Sequence, residues 1–306
     1  MKNTNKQKLW FRLKVISEES DLEKAYGAIS CLFPNTALQE TDLENGKKQL
    51  ELYLSSEENS HITSKQELNK KISSTFENAE LKYEIEEYHY DPSQEAEWKK
   101  YFKPQKIGKN IVIKPSWETY KEKSNDIIVV IDPGAAFGTG LHETTRGSII
   151  LLEQVLDLEQ NNKDKIKLLD AGTGSGVLAI SAYKLGINNI YAIDNDPDAV
   201  DITKDNFKLN NIEKNKIIAE ANPLEAINAK EKYGIILANI ISHVLISNKK
   251  LFGSILEPPA HLILSGILSR DEESVLNAFV KEENFSLVRK LHLGEWSSLW
   301  LRKNIN

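Results

Sequence analysis

The feature that most constrains the fold is a glycine-rich turn between an apolar strand and an apolar helix. The strand is predicted over residues 166–170 (IKLLD), and the letters DAGTGSG, which begin at Asp170, place three glycines at alternate positions. A second strand, 190–194 (IYAID), ends in Asp194. Glycines let backbone N–H groups approach a ligand closely, and a carboxylate at the tip of the next strand accepts hydrogen bonds from ribose hydroxyls. The pattern therefore predicts a nucleotide-type site on an α/β sheet.

The spacing of the glycines separates two classes of cofactor. Dinucleotide-binding proteins use G-x-G-x-x-G, whose third glycine permits the pyrophosphate to approach and the helix to pack closely. Here the glycines are Gly172, Gly174 and Gly176, and residue 177 is valine. The pattern D-x-G-x-G-x-G is similar instead to the first motif of S-adenosylmethionine methyltransferases, in which no pyrophosphate has to be held. This similarity favours S-adenosyl-L-methionine as the cofactor over a nicotinamide.

Strands and helices alternate through residues 124–306, which is typical of a parallel sheet covered by helices. After the second strand, the pattern predicts a helix at 198–210, strands at 217–219, 234–239 and 261–265, helices at 241–252 and 271–283, and a hairpin from 285–293 and 296–302. We therefore expect a Rossmann-like domain over residues 124–306.

The first ninety residues predict a separate small α+β domain, 1–90. Residues 8–15, 48–54 and 82–90 alternate apolar and polar positions as strands do, while residues 64–80 have helical spacing, as does a stretch from Leu22 to Ile29. This part carries no catalytic signature.

Residues 91–123 differ in composition and are interpreted as a linker. Between Lys99 and Lys123 there are eight lysines and two glutamates, with aromatic residues interleaved. A basic and aromatic segment can form a nucleic-acid surface. The alternative is that the aromatic side chains pack and the lysines are solvated, and we favour this second interpretation.

Two further segments are candidates for the site. The letters DPGAAFGTGLHETT, residues 132–145, precede a helix predicted to start near Thr144, where hydroxyls and free N–H groups could bind a carboxylate. Asn239 ends the strand GIILAN, whose tip would face the cofactor crevice of a doubly wound sheet. Read alone, the first could be a connecting turn, and the second could be a strand-ending asparagine in a local turn.

Composition excludes several classes of protein. The 306 residues carry a net charge of −6, which argues against a protein that depends on nucleic-acid phosphates. The lone cysteine, Cys31, forbids an intramolecular disulfide and fits a reducing cytoplasm. No histidine shows ligand spacing with a carboxylate, so no metal site is predicted. No apolar run reaches the roughly 20 residues of a membrane span.

Together these motifs resemble one family. The segments 98–118 (WKKYFKPQKIGKNIVIKPSWE) and 132–145, the glycine turn, YAIDNDPDAV (191–200), LANI (237–240) and LSGIL (264–268) are similar to the bacterial methyltransferase of large-subunit ribosomal protein eleven. The resemblance runs in order from about residue 95 to 280 and implies a class I S-adenosylmethionine methyltransferase fold. The first domain corresponds by position to the family's substrate-recognition domain.

The resemblance also implies the chemistry and the site. The family transfers methyl groups to lysine ε-amines, and in some members to the N-terminal α-amine, of ribosomal protein eleven. Neither a membrane nor direct contact with nucleic acid is required. It implies these cofactor-binding residues: Thr145, Gly172, Asp194, Asn239, Gly174, Phe137 and Gly138. Asp194 would hold the ribose, and Asn239 would lie near the reacting methyl as the catalytic amide.

The chain departs from the family pattern at two places, and alternatives stay open. Glu143 stands where proline is usual, and Ile-Ser-His-Val follows Asn239 in place of small and leucine-rich residues. A methyltransferase of the same fold acting on another protein, an RNA or a small molecule is the main alternative, since the catalytic half does not encode the substrate. A ribosome-binding module without activity is a further alternative.

Overall fold

The computed structural model describes residues 9–17, 25, 29, 32–33, 38–42, 47–55, 62, 64–76, 82–89, 102–132, 142–213 and 215–304. The chain divides into two compact units, Met1–Tyr101 and Phe102–Asn306. The second unit therefore begins within the segment predicted to be a linker. Residues 102–123 are a folded part of that unit, whereas residues 91–101 lie outside the described residues.

The first unit is built on a four-stranded antiparallel sheet with the order β2-β3-β1-β4. Its elements are β1 (Leu9–Ser17), β2 (Leu38–Asp42), β3 (Lys48–Ser55), α1 (Lys65–Thr75) and β4 (Lys82–His89). Alternate residues of β1, namely Phe11, Leu13 and Val15, are buried, as their period-two pattern predicts. The predicted helix near residues 22–29 falls largely outside the described residues.

The second unit contains a three-stranded and a seven-stranded sheet. Its elements in chain order are β5 (Gln105–Ile107), β6 (Ile111–Lys114), β7 (Ile127–Val130), α2 (Glu143–Leu158), β8 (Lys167–Ala171), α3 (Val177–Lys184), β9 (Asn189–Asp194), α4 (Pro197–Leu209), β10 (Ile217–Ala221), β11 (Tyr233–Asn239), α5 (Ser242–Ser247), α6 (Lys249–Ile255), β12 (Leu256–Leu268), α7 (Glu272–Leu276), β13 (Phe285–Leu293) and β14 (Trp296–Lys303). Short 3₁₀ turns lie at 163–165, 224–226 and 269–271, and a π turn follows α7 at 277–281.

The large sheet has the order β10-β9-β8-β11-β12-β14-β13. Its first five strands are parallel, and the β13–β14 hairpin completes the sheet through β14, which runs antiparallel to both β12 and β13. This is a Rossmann-like doubly wound sheet, and the hairpin is where the sequence predicts it. The strand order reverses between β8 and β11, and ligands bind in such sheets beyond the carboxyl ends of the strands at that point.

Apolar cores lie on both faces of the large sheet. Leu168 belongs to the core under α2 and α3, whereas its neighbour Leu169 belongs to the core under α5 and α6. Because both faces are covered, the central strands are continuous apolar runs rather than alternating ones. Within the described residues, no helix is long and apolar enough to cross a membrane.

Several lysines of the lysine-rich segment make contacts within the second unit. Lys103 contacts Glu118 at 2.7 Å, Lys106 contacts Asp126 at 2.7 Å, and the Lys114 ammonium donates to the Glu118 carbonyl at 2.8 Å. Carboxylates thus partly neutralise Lys103 and Lys106, whereas Lys114 is held by a neutral carbonyl. These contacts are in keeping with the packed interpretation, which stays a prediction.

A buried histidine lies near the start of β12. The side chain of His261 is 3% exposed, its Nδ1 accepts a hydrogen bond from Trp300 Nε1 at 3.1 Å, and its Nε2 is 3.4 Å from Glu159 Oε1. Because an indole N–H can only donate, Nδ1 must be unprotonated and the ring neutral. Burial lowers the pKa of His261, against the opposing effect of Glu159.

We expect His261 to make the free energy of unfolding increase with pH over the interval between its folded-state pKa and the ordinary value of about 6.5. Its pKa is lower in the folded than in the unfolded protein, so the unfolded chain binds more protons in this interval and stability is lost as pH falls. When the free energy of unfolding from urea denaturation is plotted against pH, the slope should be smaller for His261→Gln than for wild type. His243→Gln, at an exposed position, should keep the wild-type slope. A wild-type slope for His261→Gln would contradict the prediction.

Candidate functional site

The candidate site lies where the carboxyl ends of β8 and β11 meet. Ala171, the last residue of β8, pairs with Ala238 of β11, so that the glycine turn and Asn239 leave the sheet side by side. The turn leads into α3 and Asn239 leads towards α5. The topology therefore brings together two motifs that are more than sixty residues apart in sequence.

The glycine turn has a backbone that other residues adopt only with strain. Gly172, Gly174 and Gly176 have φ angles of +77°, +55° and +82°. A side chain at 172 would also have no room, because its Cβ would lie 2.6 Å from Ile240 Cγ2. At its three glycines the turn therefore presents backbone atoms with no side chain in the way, and we call this turn the glycine cradle.

Asp170 lies beneath this turn and is fully buried. Its Oδ2 accepts hydrogen bonds from Thr173 Oγ1 at 2.8 Å and from the Ala179 N–H at 3.0 Å, which ties the turn to α3. Its Oδ1 is buried without a partner among the described residues. Burial raises the pKa of Asp170 to about 7, Asp194 adds to the increase, and the two hydrogen bonds oppose it.

Asp194 lies at the tip of β9, beside the turn. Its Oδ2 accepts the Gly174 N–H at 2.9 Å, and its Oδ1 accepts the Asp196 N–H at 3.1 Å. A carboxylate oxygen has two lone pairs, so each oxygen can accept a further hydrogen bond. The structure therefore places the predicted ribose-binding carboxylate and the predicted Gly174 in direct contact.

Asn239 and Thr145 form the other side of the site. The Asn239 Nδ2 lies 3.4 Å from Thr145 Oγ1, and Thr145 is fully buried in the first turn of α2. The Asn239 Oδ1 is buried and has no hydrogen-bond partner among the described residues. A buried amide oxygen without a partner is unfavourable unless a ligand supplies the donor.

Polar side chains fix the first turn of α2. His142 caps the helix, since its Nδ1 accepts the Thr144 N–H at 3.3 Å, and its ring packs edge-on against Trp296 with centroids 5.0 Å apart. The Thr144 carbonyl accepts hydrogen bonds from Ser148 Oγ and Ser265 Oγ, each at 2.9 Å. His142 is thus a capping residue of α2.

Two motifs are joined by contacts that the sequence does not show. The Ser116 N–H and hydroxyl both donate to the Asp132 carboxylate, at 2.7 and 2.6 Å. The segment 115–117 (PSW) is therefore attached to the first residue of the DPGAAFGTG segment.

Of the predicted cofactor-binding residues, Phe137 and Gly138 lie outside the described residues, and the roles of the others stay predictions.

Ile240 is a site residue that sequence reasoning missed, although it lies in the LANI motif. Gly266, with φ +77°, approaches it so closely that a Cβ there would lie 2.6 Å from the Ile240 carbonyl oxygen. Ile240 is therefore packed between Gly266 and the cradle at Gly172. The glycine in LSGIL was the available signal, because a strand glycine often marks close approach of another backbone.

The described residues contain no cluster of His, Cys, Asp and Glu side chains that could hold a metal ion. The site consists instead of a glycine cradle, a carboxylate and an amide.

The sequence matches the family model for ribosomal protein L11 methyltransferase (PrmA) over residues 9–304. The chain belongs to the ribosomal protein L11 methyltransferase family. It is 42% identical over 208 residues to the ribosomal protein L11 methyltransferase of Trichlorobacter lovleyi, covering 68% of this chain and 67% of that protein. The corresponding protein of Geotalea uraniireducens is 40% identical over 217 residues, covering 67% and 66%.

A solved structure in the same family has a similar fold. The ribosomal protein L11 methylase of Lactobacillus delbrueckii subsp. bulgaricus superposes with a TM-score of 0.59 at 30% sequence identity, covering 66% of this chain and 99% of that chain. The predicted fold class, a Rossmann-like sheet of the class I methyltransferase type, is confirmed.

We expect Gly266→Ala to destabilise the protein far more than Gly294→Ala. Both glycines have positive φ, so each substitution carries a strain of about 1–2 kcal/mol. Only at 266 does the new Cβ meet backbone; at 294 its nearest neighbour is Glu143 Cγ at 4.0 Å. Denaturation should therefore show a further loss of about 2 kcal/mol or more for Gly266→Ala. Equal losses would show that the packing of Ile240 is not tight.

Proposed function

We propose that this protein transfers methyl groups from S-adenosylmethionine to amines of ribosomal protein L11. The observation that carries the proposal is the Asn239 Oδ1, a buried acceptor without a partner among the described residues, next to the glycine cradle. An acceptor placed in this way suits a substrate that brings its own N–H donor. A nicotinamide-dependent oxidoreductase is disfavoured, because Val177, the first residue of α3, stands where the third glycine of G-x-G-x-x-G would be.

The residues present fit S-adenosylmethionine. The cradle at Gly172 and Gly174 admits a ligand close to the backbone, and Asp194 has lone pairs free for ribose hydroxyls. We assign cofactor contact also to Thr145 and Asn239, and to Phe137 and Gly138 in the preceding motif. When bound, this cofactor supplies an electrophilic methyl group on a positively charged sulfur.

The protein's part in the reaction is to present a neutral amine. A lysine with pKa about 10.4 is only ~0.04% neutral at pH 7, so its deprotonation costs about 4.6 kcal/mol in water. An apolar site lowers that cost because it disfavours the ammonium form. Asn239 Oδ1 then accepts one amine N–H and directs the nitrogen lone pair towards the methyl group. We propose that catalysis is mainly this orientation.

The substrate assignment rests on the family. The relatives from Trichlorobacter lovleyi and Geotalea uraniireducens are both named ribosomal protein L11 methyltransferases. We assign substrate recognition to the first unit, because all the cofactor-binding residues proposed above belong to the second. A net charge of −6 suits a lysine-rich protein substrate. We infer that the reaction takes place in the cytoplasm, where ribosomal proteins are made and Cys31 would stay reduced.

We expect free ribosomal protein L11 to gain mass when incubated with the enzyme and S-adenosylmethionine. Each transferred methyl replaces a hydrogen and adds one CH2, or ~14 Da, to an amine nitrogen. Intact-mass spectrometry should show a series of such steps, and digestion should place them on lysine side chains or the N-terminus. No gain on L11, with labelled methyl appearing on another lysate protein or RNA, would favour the alternative of a different substrate.

We expect Asn239→Ala to reduce turnover at saturating cofactor by about 100-fold, because the amine loses the acceptor that orients it. Asn248→Ala is the matched control. It removes another buried amide of the second unit, whose Nδ2 donates to the Val244 carbonyl at 3.1 Å, and it should keep wild-type turnover. Near-normal turnover of Asn239→Ala in the mass assay would exclude the proposed role.

A further inference from the structure

Helix α4 holds the carbonyl side of the glycine turn. The Thr203 hydroxyl donates to the Gly174 carbonyl at 2.7 Å, and one turn further along, Asn206 Nδ2 donates to the Ser175 carbonyl at 2.9 Å. The helix packs closely here, since a Cβ at Gly176 would lie 3.0 Å from Thr203 Cγ2. The shape of the turn therefore depends on side chains of α4 as well as on its glycines.

Asn206 also binds the segment that precedes α2. Its Oδ1 accepts the Asp132 N–H at 3.0 Å, and its Nδ2 lies 3.5 Å from the Asp132 carbonyl oxygen. Asp132 is the first residue of the DPGAAFGTG motif, and Ser116 holds its carboxylate from the other side. The Asn206 side chain is 1% exposed. One buried amide thus joins the glycine turn to the start of a second motif.

We propose that Asn206 is a positioning residue that holds Asp132 and the glycine turn in one geometry and thereby increases affinity for the cofactor. It acts through the two segments that it joins. Without its amide, the Ser175 carbonyl and the Asp132 N–H lose their buried partner, and each segment relaxes separately. The identity of the ligand in this inference rests on the proposed function, whereas the coupling itself does not.

Asn210 provides a matched control one turn along the same helix. Its Oδ1 accepts the Val130 N–H at 2.9 Å and its Nδ2 donates to the Val130 carbonyl at 2.6 Å. The side chain is 3% exposed, so the two asparagines are equally buried. Its partners are the backbone of Val130 on β7 and the Asn206 carbonyl, to which its Nδ2 also donates at 2.8 Å, and none of its hydrogen bonds reaches the glycine turn. Substituting Asn210 therefore removes the same kind of bond without uncoupling the two segments.

Binding of S-adenosylhomocysteine, measured calorimetrically below the unfolding temperatures of both variants, tests the inference. We expect Asn206→Ala to weaken binding by about 10-fold or more, as loss of a residue that orients ligand-binding groups commonly does. Asn210→Ala should bind within about 2-fold of wild type while losing a similar amount of thermal stability. Equal affinities of the two variants would overturn the proposal and leave Asn206 a stabilising residue only.

Amide hydrogen exchange without any ligand tests the coupling separately. Asn206→Ala should increase exchange at both Asp132 and Gly176, whose N–H donates to the Thr173 carbonyl within the turn. Asn210→Ala should increase exchange at Val130 and leave Gly176 unchanged. If wild type binds no S-adenosylhomocysteine, the proposed function fails and the exchange pattern still decides the coupling. Faster exchange at Asp132 without faster exchange at Gly176 would overturn the proposed coupling.

Discussion

The packing of Ile240 between two glycine backbones is the contact on which the arrangement of the site depends. Gly172 belongs to the turn after β8, and Gly266 belongs to β12. Ile240, which directly follows β11, therefore contacts segments on both sides of that strand. Neither glycine could carry a side chain without moving Ile240. Because Asn239 precedes Ile240, this packing restrains the backbone of Asn239 beside the cradle. Steric contact of this kind gives the precision that binding and orientation require.

Around this contact, most buried polar groups have partners, and the exceptions are informative. Helix α4 holds the carbonyls of the glycine turn, Asp194 accepts its Gly174 N–H, and serines hold the Thr144 carbonyl. Two oxygens at the site are left, Asn239 Oδ1 and Asp170 Oδ1, both buried and without partners in the described residues. A site whose surrounding polar groups have hydrogen-bond partners, and which keeps a few acceptors without one, has the polarity expected of a ligand-binding crevice.

Periodicity predicted the alternating strands and helices well where one element buries one face, and less well where tertiary contacts interrupt an element. The helix predicted at 241–252 is two helices, α5 and α6, which meet at Asn248, and the helix predicted at 271–283 is a 3₁₀ turn, α7 and a π turn. Strand β2, whose letters LQETD hold one apolar residue, has no period-two pattern and exists through its pairing with β3. The segment 102–123, interpreted as part of a linker from its composition, holds the short strands β5 and β6, which form only by pairing in a sheet with β7.

The sequence by itself determined the class of fold and the family, and it predicted the central site residues, since a glycine turn, a strand-ending carboxylate and a strand-ending asparagine are local patterns with a physical meaning. Only the tertiary structure decided how they meet. The contacts of Ile240 with Gly266, of Ser116 with Asp132 and of Asn206 with Ser175 join segments far apart in the chain. Local periodicity indicates which face of an element is buried, but it does not indicate which distant segment of backbone packs against that face.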